Sequence, residues 1–187
     1  MSDSARPSHW TTWIGEHQRR LPIVEVKLGI WVALFNIQDD VLLAETAGKM
    51  IVKRCLPPGT ERLVTVEGKA TALAHVVARE SGLPLLTLRK GEPKPYAQDP
   101  VICDDMTGSI TSQRRQRFWC EREVLLALAG KQVSFVDDVV STGATLSVVA
   151  EVVERLGKGR LASTVCVFEE GAAHPGVISL CGTLPLF

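Results

Sequence analysis

One segment of the sequence carries residue types that could bind a sugar phosphate. In VSFVDDVVSTGATL, residues 133–146, an apolar run is followed by Asp137 and Asp138 and then by a turn of Ser, Thr and Gly residues. The backbone N–H groups and hydroxyls of this turn, with the N-terminus of the helix that it opens, can surround a phosphate. Gly143 lets the backbone approach the anion closely. Because the two carboxylates can accept hydrogen bonds from a vicinal diol or from metal-bound water, the segment predicts a sugar phosphate site.

Other interpretations of this segment explain less. It lacks the Lys of a P-loop and the GxGxxG spacing of a dinucleotide-binding fold. An incidental acidic pair ahead of a helix would leave Asp137 and Asp138 as unpaired charges directly after a buried strand, where unpaired charge is costly.

A second set of charged residues follows two other apolar runs. The sequence EGKA, residues 67–70, comes after the run at residues 63–66, and Arg89 and Lys90 come after the run at residues 85–88. In open α/β sheets, ligands bind outside the carboxyl ends of the strands. A solvated surface run is the alternative for these basic residues, and the phosphate-binding motif in the same chain favours an anion site.

The elements that would position these residues alternate along the chain. Short apolar runs and amphipathic stretches follow one another, which is typical of βαβ units and predicts a parallel sheet with helices on both faces. Strands are predicted at residues 24–26, 30–35, 63–66, 85–88, 133–136 and 161–168. Helices are predicted at residues 71–80 and 145–156, and another is expected to start at Asp39 or Asp40 and run to about Cys55.

Two further stretches carry weaker patterns. Residues 6–20 are predicted to form a helix, because Trp10, Trp13, Ile14 and His17 recur at helical spacing ahead of a proline. Residues 89–131 form a long interruption, which in a compact domain is either functional or disordered. Its middle, residues 106–119, is expected to form a small hairpin of the kind that folds over a ligand, and a poorly ordered excursion is the alternative.

Composition bounds the class of protein. The chain has 187 residues, which suits one compact domain, and its 21 Lys and Arg balance 21 Asp and Glu, which argues against a dedicated nucleic-acid binder. Its five cysteines include no CxxC pair, so reduced thiols in a cytoplasmic protein are expected and a zinc site is not. Neither a signal peptide nor an apolar run of roughly 20 residues is present, so no membrane association is expected.

Two motifs give a resemblance to a known family. VDDVVSTGAT resembles the phosphoribosyl pyrophosphate signature of type I phosphoribosyltransferases, and VTVEGKATALAHVVARESGLPLLTLRKGEPK, residues 64–94, is similar to the pyrophosphate loop, helix and strand of their adenine and xanthine branch. The resemblance covers roughly residues 42–168. It implies a single α/β domain of the type I phosphoribosyltransferase fold, with a core at about residues 41–169, a small hood from residues 1–40 and 170–187, and a long flexible loop.

The resemblance also implies a role for each matching residue. Ribose 5-phosphate would be held by Asp137, Asp138, Val139, Val140, Ser141, Thr142, Gly143, Ala144 and Thr145. Pyrophosphate would be held by Glu67, Gly68, Lys69, Ala70, Arg89, Lys90 and Lys94. The expected catalytic residues are Asp137, Asp138 and Lys69, and the two aspartates would contact Mg²⁺ through water. The long loop would close over the diphosphate with Arg114, Arg115 and Arg117. Candidates for the base pocket are Phe35, Asn36, Val139 and Phe187, for which ordinary core packing is an equal alternative.

The implied activity is transfer of the phosphoribosyl group from phosphoribosyl pyrophosphate to a purine base of the adenine or xanthine type, with Mg²⁺ and in a homodimer. Ser141 stands where hypoxanthine-guanine enzymes carry an acid, which disfavours that subgroup, and the residues that could supply an acid instead are Asp104, Asp105 and Glu121. Two alternatives stay open: a regulator that binds phosphoribosyl pyrophosphate without turnover, and transfer to an acceptor other than a purine.

Overall fold

The computed structural model describes residues 7–104 and 116–187. The chain starts with a three-stranded antiparallel sheet made of strands β1 (His9–Ile14), β2 (His17–Lys27) and β3 (Ile30–Ala33). The central part then contains α1 (Val41–Arg54), β4 (Arg62–Val66), α2 (Thr71–Ser81), β5 (Leu85–Lys90), β6 (Pro100–Asp104), β7 (Arg117–Glu121), α3 (Arg122–Leu126) and β8 (Gln132–Val140). It ends with α4 (Ala144–Ala150), which continues into a π-helical turn (Glu151–Leu156), and with β9 (Arg160–Glu170), β10 (Val177–Ser179) and β11 (Thr183–Leu184).

Among these described residues the central sheet has the strand order β10-β9-β8-β4-β5-β7-β6, and β11 pairs with the end of β9. Strands β10, β9, β8, β4 and β5 are parallel, and the hairpin of β6 and β7 adds to the β5 edge in antiparallel fashion. Alternate residues of each strand pack on opposite faces: Leu63 joins the core beneath α1 and α2, and Val64 joins the core beneath α3 and α4. The predicted α/β fold with a mainly parallel sheet is confirmed.

The helix boundaries follow from local chemistry. Helix α1 starts where the Asp40 side chain accepts a hydrogen bond from the backbone N–H of Leu43 at 3.0 Å, which selects Asp40 over its neighbour as the N-cap. Helix α2 ends at Gly82, whose φ of +71° is the left-handed conformation that favours glycine. Within the described part of the chain, no helix has both the length and the apolar composition needed to cross a membrane.

The prediction of a helix at residues 6–20 is wrong, because these residues form the hairpin of β1 and β2. Trp10 and Ile14 are four residues apart, a spacing that places two side chains on the same face of a helix or of a strand. In the structure both face inward and Trp13 is 59% exposed on the other side. Gly15 makes the turn between the strands with a φ of +61°, a conformation that a helix interior does not use.

Two further predictions change in extent. The predicted strand at residues 133–136 continues to Val140, since the valines on either side of Asp137 and Asp138 keep pairing with β9. The predicted hairpin at residues 106–119 lies largely outside the described residues, and the hairpin that the structure describes pairs Pro100–Asp104 with Arg117–Glu121. Its outer strand is thus earlier in the chain, and its inner strand is fixed by pairing with β5.

The antiparallel sheet is tied to the rest of the chain at two places. Arg19 of β2 donates a hydrogen bond from Nε to Oδ2 of Asp40 at 2.6 Å, at the start of α1. At the other end of the chain, the backbone N–H of Phe187 donates to the carbonyl of Trp31 at 2.9 Å, and Leu186 pairs with Val32. The last residues of the chain therefore pack against β3 of the antiparallel sheet.

Candidate functional site

Asp137 and Asp138 lie inside strand β8, near its carboxyl end. Asp137 is in register with Cys166 of β9, and its Oδ1 accepts a hydrogen bond from the backbone N–H of Asp138 at 2.9 Å. Burial raises the pKa of both carboxyl groups, and the charge of Asp138 raises that of Asp137 further. The charge of Lys90 opposes this for Asp137 and that of Lys69 for Asp138, so both ammonium groups act on the acidic pair.

The turn after β8 forms a cleft of about 270 Å³. Gly143 has a φ of +73° and directly precedes α4. A Cβ atom at this glycine would lie 3.2 Å from Cδ2 and 3.3 Å from Nε2 of His174, so a larger residue would crowd that imidazole. The cleft is lined by Phe135, Asp137, Val139, Val140, Ser141, Thr142, Gly143, Ala144, Thr145 and Leu146. The structure thus brings the predicted phosphate-binding residues together in one concave turn.

The segment Glu67 to Ala70 connects β4 to α2 at the same edge of the sheet. Its glycine, Gly68, has a φ of +154°, and Nζ of Lys90 lies 3.6 Å from the position that a Cβ atom would take there. Glu67 holds this end of β5 in place, since its Oε2 accepts a hydrogen bond from the backbone N–H of Lys90 at 2.9 Å. Lys90 ends β5 and Lys69 follows the adjacent strand β4, and the charges of both lysines act on the acidic pair.

Arg89 does not lie beside Lys90 at the edge of the sheet that carries the segment Glu67 to Ala70. Successive side chains of a strand point to opposite faces, and the Arg89 guanidinium lies 4.9 Å from the ring centroid of Trp119, on the far side from the loop that Lys90 contacts. Lys94 is exposed between β5 and β6, and Arg117 forms an ion pair with Glu92 at 2.8 Å. Arg114, Arg115 and Asp105 lie outside the described residues, as does the side chain of Asp104.

A second cleft, of about 500 Å³, separates the acidic pair from the antiparallel sheet. Among the predicted base-pocket residues, Phe35 and Val139 line it, and Phe35 packs edge-to-face on Phe168 with ring centroids 5.0 Å apart. Asn36 and Phe187 do not line it. Oδ1 of Asn36 accepts a hydrogen bond from the backbone N–H of Gln38, and the backbone N–H of Phe187 donates to the carbonyl of Trp31. The lining consists of Ala33, Leu34, Phe35, Lys69, Asp138, Val139, Ser141, Glu170 and Leu184.

The sequence analysis missed Glu169, Glu170 and His174. The backbone N–H of His174 donates to Oε2 of Glu169 at 3.0 Å, and Nδ1 of His174 lies 3.8 Å from the same oxygen. Glu170 lines the second cleft. A signal was present, since CVFEEG repeats the pattern of FVDDVV, with two acids after a buried run. By contrast, Glu121, a candidate acid, lies at the end of β7 and accepts from the backbone N–H of Asp99.

The acidic pair fits a Mg²⁺ ion that is held mainly by a ligand. Carboxylate oxygens are among the ligands that Mg²⁺ prefers, and this ion usually binds through one or two carboxylates, several waters and substrate phosphates. Across residues 7–104 and 116–187, no cluster of three or more His, Cys, Asp and Glu side chains could hold a metal alone. Asp137 and Asp138 therefore suit an ion that arrives with a diphosphate.

Comparison with known proteins gives sequence relatives and structural neighbours, and no protein-family model matches the chain. It is 29% identical over 125 residues to a xanthine phosphoribosyltransferase of an Exiguobacterium species, covering 67% of this chain and 63% of that protein. It is 34% identical over 111 residues to a hypoxanthine/guanine phosphoribosyltransferase of Methanobrevibacter ruminantium, covering 59% and 53%. The chain thus spans less than two thirds of the length of these two relatives.

The structural neighbours are adenine phosphoribosyltransferases. That of Rhodothermus marinus has a TM-score of 0.61 at 16% identity and covers 94% of each chain. That of Thermoanaerobacter pseudethanolicus has a TM-score of 0.60 at 19% identity, covering 78% of this chain and 84% of the other. The fold is therefore that of the type I phosphoribosyltransferases.

The sequence relatives are phosphoribosyltransferases as well, in agreement with the resemblance that VDDVVSTGAT carries. The relatives include the hypoxanthine/guanine type that Ser141 disfavours, so the similarity does not select a base.

Proposed function

We propose that the chain transfers the phosphoribosyl group of phosphoribosyl pyrophosphate to a purine base of the adenine or xanthine type and releases pyrophosphate. The observation that carries this proposal is the meeting of three features at one edge of the sheet. These are the concave turn at Gly143, the buried pair Asp137 and Asp138, and the segment from Glu67 to Ala70 with the two lysines. Relatives and structural neighbours named xanthine, hypoxanthine/guanine and adenine phosphoribosyltransferases support a purine acceptor.

Each part of the cleft has a task in this reaction. The turn at residues 141–145 holds the 5′-phosphate through its backbone N–H groups and hydroxyls. Asp137 and Asp138 accept hydrogen bonds from the two ribose hydroxyls and so fix the sugar relative to the sheet. Lys69 and Lys90 face the diphosphate and stabilise the negative charge that grows on it as the bond to C1 breaks. The protein mainly positions the two reactants, which is where much of the rate increase of a bimolecular transfer originates.

Mg²⁺ belongs to this proposal as a ligand of the diphosphate. When bound it neutralises charge on the leaving group and acts as a Lewis acid. Asp137 and Asp138 would hold it through water, and their burial next to one another favours the approach of a cation. The raised pKa of both carboxyl groups supports this, because a nearby cation offsets the cost of keeping two buried charges.

A homodimer and a cytoplasmic location are also part of the proposal. Large apolar side chains are exposed near the start of α1, where Val41 is 77% and Leu42 is 57% exposed, and such surface is typical of subunit contacts. Burial raises the pKa of the Cys120 and Cys181 thiols to about 11, which suits unreactive cysteines in a reducing compartment. Sedimentation equilibrium measures the assembly directly.

Pyrophosphate release tests the proposed reaction. The protein is incubated with phosphoribosyl pyrophosphate, Mg²⁺ and one base at a time from a panel of purines and pyrimidines. Release with a purine, lost in Asp137→Asn/Asp138→Asn and kept in the exposed control Asp39→Asn, is the expected result. If calorimetry shows that the protein binds phosphoribosyl pyrophosphate and no base is turned over, the enzyme assignment is wrong and a binding regulator replaces it.

A further inference from the structure

We propose that Glu170 selects the acceptor base, and that the preferred acceptor is a purine carrying an exocyclic amino group rather than one carrying only oxo groups. This rests on the proposed phosphoribosyl transfer and goes beyond it by naming the substrate class. The inference follows from the position of Glu170, from its lack of a partner among the residues that the structure describes, and from the hydrogen-bonding chemistry of a carboxylate.

The position of Glu170 follows from the alternation of side chains along β9. Phe168, Glu169 and Glu170 are its last three residues, so Phe168 and Glu170 share one face and Glu169 points to the other. Phe168 packs on Phe35, next to the antiparallel sheet. Glu169 is buried and contacts His174, beside the turn at Gly143. Glu170 therefore faces the second cleft, on the side where Phe35 and Leu184 form an apolar wall.

The two glutamates differ in how their carboxylates are used. Oε2 of Glu169 already accepts from the backbone of His174. For Glu170, no donor within hydrogen-bond or ion-pair distance occurs in residues 7–104 and 116–187. The other charged residues of the cleft are Lys69 and Asp138, and the charge of Lys69 acts on Asp138. The acceptor capacity of Glu170 is thus left for a ligand.

The chemistry of a carboxylate then sets the preference. An ionised carboxylate only accepts hydrogen bonds, so a base that occupies this side of the cleft must present N–H groups to Glu170. An exocyclic amino group does so with two N–H bonds on one nitrogen, whereas each ring N–H beside an oxo group brings a carbonyl oxygen towards the carboxylate with it. A carbonyl oxygen in the same place would bring its lone pairs against the carboxylate, and both groups would be left without a hydrogen-bond donor. A site built to accept a hydrogen bond from its ligand strongly rejects an analogue that lacks the donor.

Competition kinetics test this inference in the intact chain. The ratio of kcat/KM is measured for adenine against hypoxanthine and for 2,6-diaminopurine against xanthine, with phosphoribosyl pyrophosphate and Mg²⁺. Because hydrogen bonds to charged groups are the stronger ones and Glu170 is only half-buried, aminopurines are expected to be preferred by roughly 10- to 100-fold.

Two variants separate the role of the charge from damage to the fold. The isosteric Glu170→Gln offers both a donor and an acceptor and is expected to bring the ratio to within a few-fold of one. Glu170→Lys places a donor there and is expected to shift the ratio towards hypoxanthine and xanthine. Glu154→Gln, an exposed acid on the π-helical turn that does not line the cleft, leaves the ratio unchanged.

The outcomes distinguish this inference from the proposed function. Turnover of hypoxanthine or xanthine by the unsubstituted protein at the rate of the aminopurines, or a ratio that Glu170→Gln does not move, overturns the role of Glu170 and leaves the transferase intact. Turnover of no base at all overturns the transferase and this inference together. Thermal unfolding confirms that each variant is folded before its ratio is read.

Discussion

Replacing Gly143 with alanine should weaken the binding of phosphoribosyl pyrophosphate by more than its effect on the backbone explains. The residue has a φ of +73°, and an L-residue in the left-handed region costs about 1–2 kcal/mol. In addition, the new Cβ would lie 3.2–3.3 Å from the imidazole of His174, a residue whose backbone N–H donates to Oε2 of Glu169 at 3.0 Å. Either the imidazole or the turn must move by a few tenths of an ångström.

The chain offers a matched control for the backbone cost alone. Gly82 has a nearly identical φ of +71°, lies at the end of α2, and has no heavy atom within 4 Å of the position of a Cβ. Gly82→Ala should therefore lower the free energy of unfolding by about 1–2 kcal/mol and leave ligand affinity unchanged. Gly143→Ala should lower the free energy of unfolding at least as much and also reduce affinity about tenfold, which corresponds to about 1.4 kcal/mol.

Calorimetric titration with phosphoribosyl pyrophosphate and urea unfolding measure the two quantities. Adding His174→Ala to Gly143→Ala removes the imidazole, so the double variant should recover part of the lost affinity in a double-mutant cycle. If Gly143→Ala binds the ligand as tightly as the unsubstituted protein, the shape of this turn does not set the affinity, and the phosphate does not lie where we place it.

Three other predictions concern charge. Burial raises the folded-state pKa of Asp137 and Asp138, so their stabilising contribution is present below about pH 4, where the unfolded carboxyls protonate. This contribution is lost as the pH rises through the raised pKa values of the folded state. Urea unfolding should show the decline in stability, and Asp137→Asn/Asp138→Asn should abolish the decline. Lys69→Ala should lower kcat/KM for phosphoribosyl pyrophosphate about tenfold or more, because a cation that faces the diphosphate is lost. Asp40→Ala should lower the free energy of unfolding by about 1–2 kcal/mol, since the N-cap of α1 and the ion pair with Arg19 are both removed.

Each of these predictions has a result that contradicts it. A stability that rises above pH 4 would mean that the acidic pair is stabilised in its charged form. Equal kinetics for Lys69→Ala and for the exposed control Lys53→Ala would exclude Lys69 from the diphosphate site. Equal unfolding curves for Asp40→Ala and for its exposed neighbour Asp39→Ala would show that neither the cap nor the ion pair is stabilising.

The parts of the fold that local chemistry determines could be predicted from the sequence. The cap at Asp40, the stop at Gly82 and the acidic pair ahead of Gly143 depend on neighbours within a few residues, and the structure has each of them in place. Helix α1 also shows a clean periodicity, because a single apolar face packs on the sheet.

The features that the sequence did not predict depend on contacts with residues far away in the sequence. Trp10 and Ile14 suit either a helix or a strand, and only their packing against β9 and α1 decides between them. Glu170 gains its place from the pairing of β9 with β8, which also brings His174 to the phosphate turn. Arg89 and Lys90 look equivalent as neighbouring basic residues, and the pleat of the strand sends them to opposite faces.

That separation of Arg89 from Lys90 provides the protein with an internal optical reporter. The guanidinium lies over the indole of Trp119, which is 1% exposed, while Nζ of the next residue, Lys90, lies beside Gly68 and its charge acts on Asp137. Indole emission responds to a nearby cation, so a shift of the end of β5 when a ligand engages Lys90 would alter the fluorescence of Trp119. With the three other tryptophans of the chain replaced by phenylalanine, occupancy of the cleft could be followed in stopped-flow experiments without any attached dye.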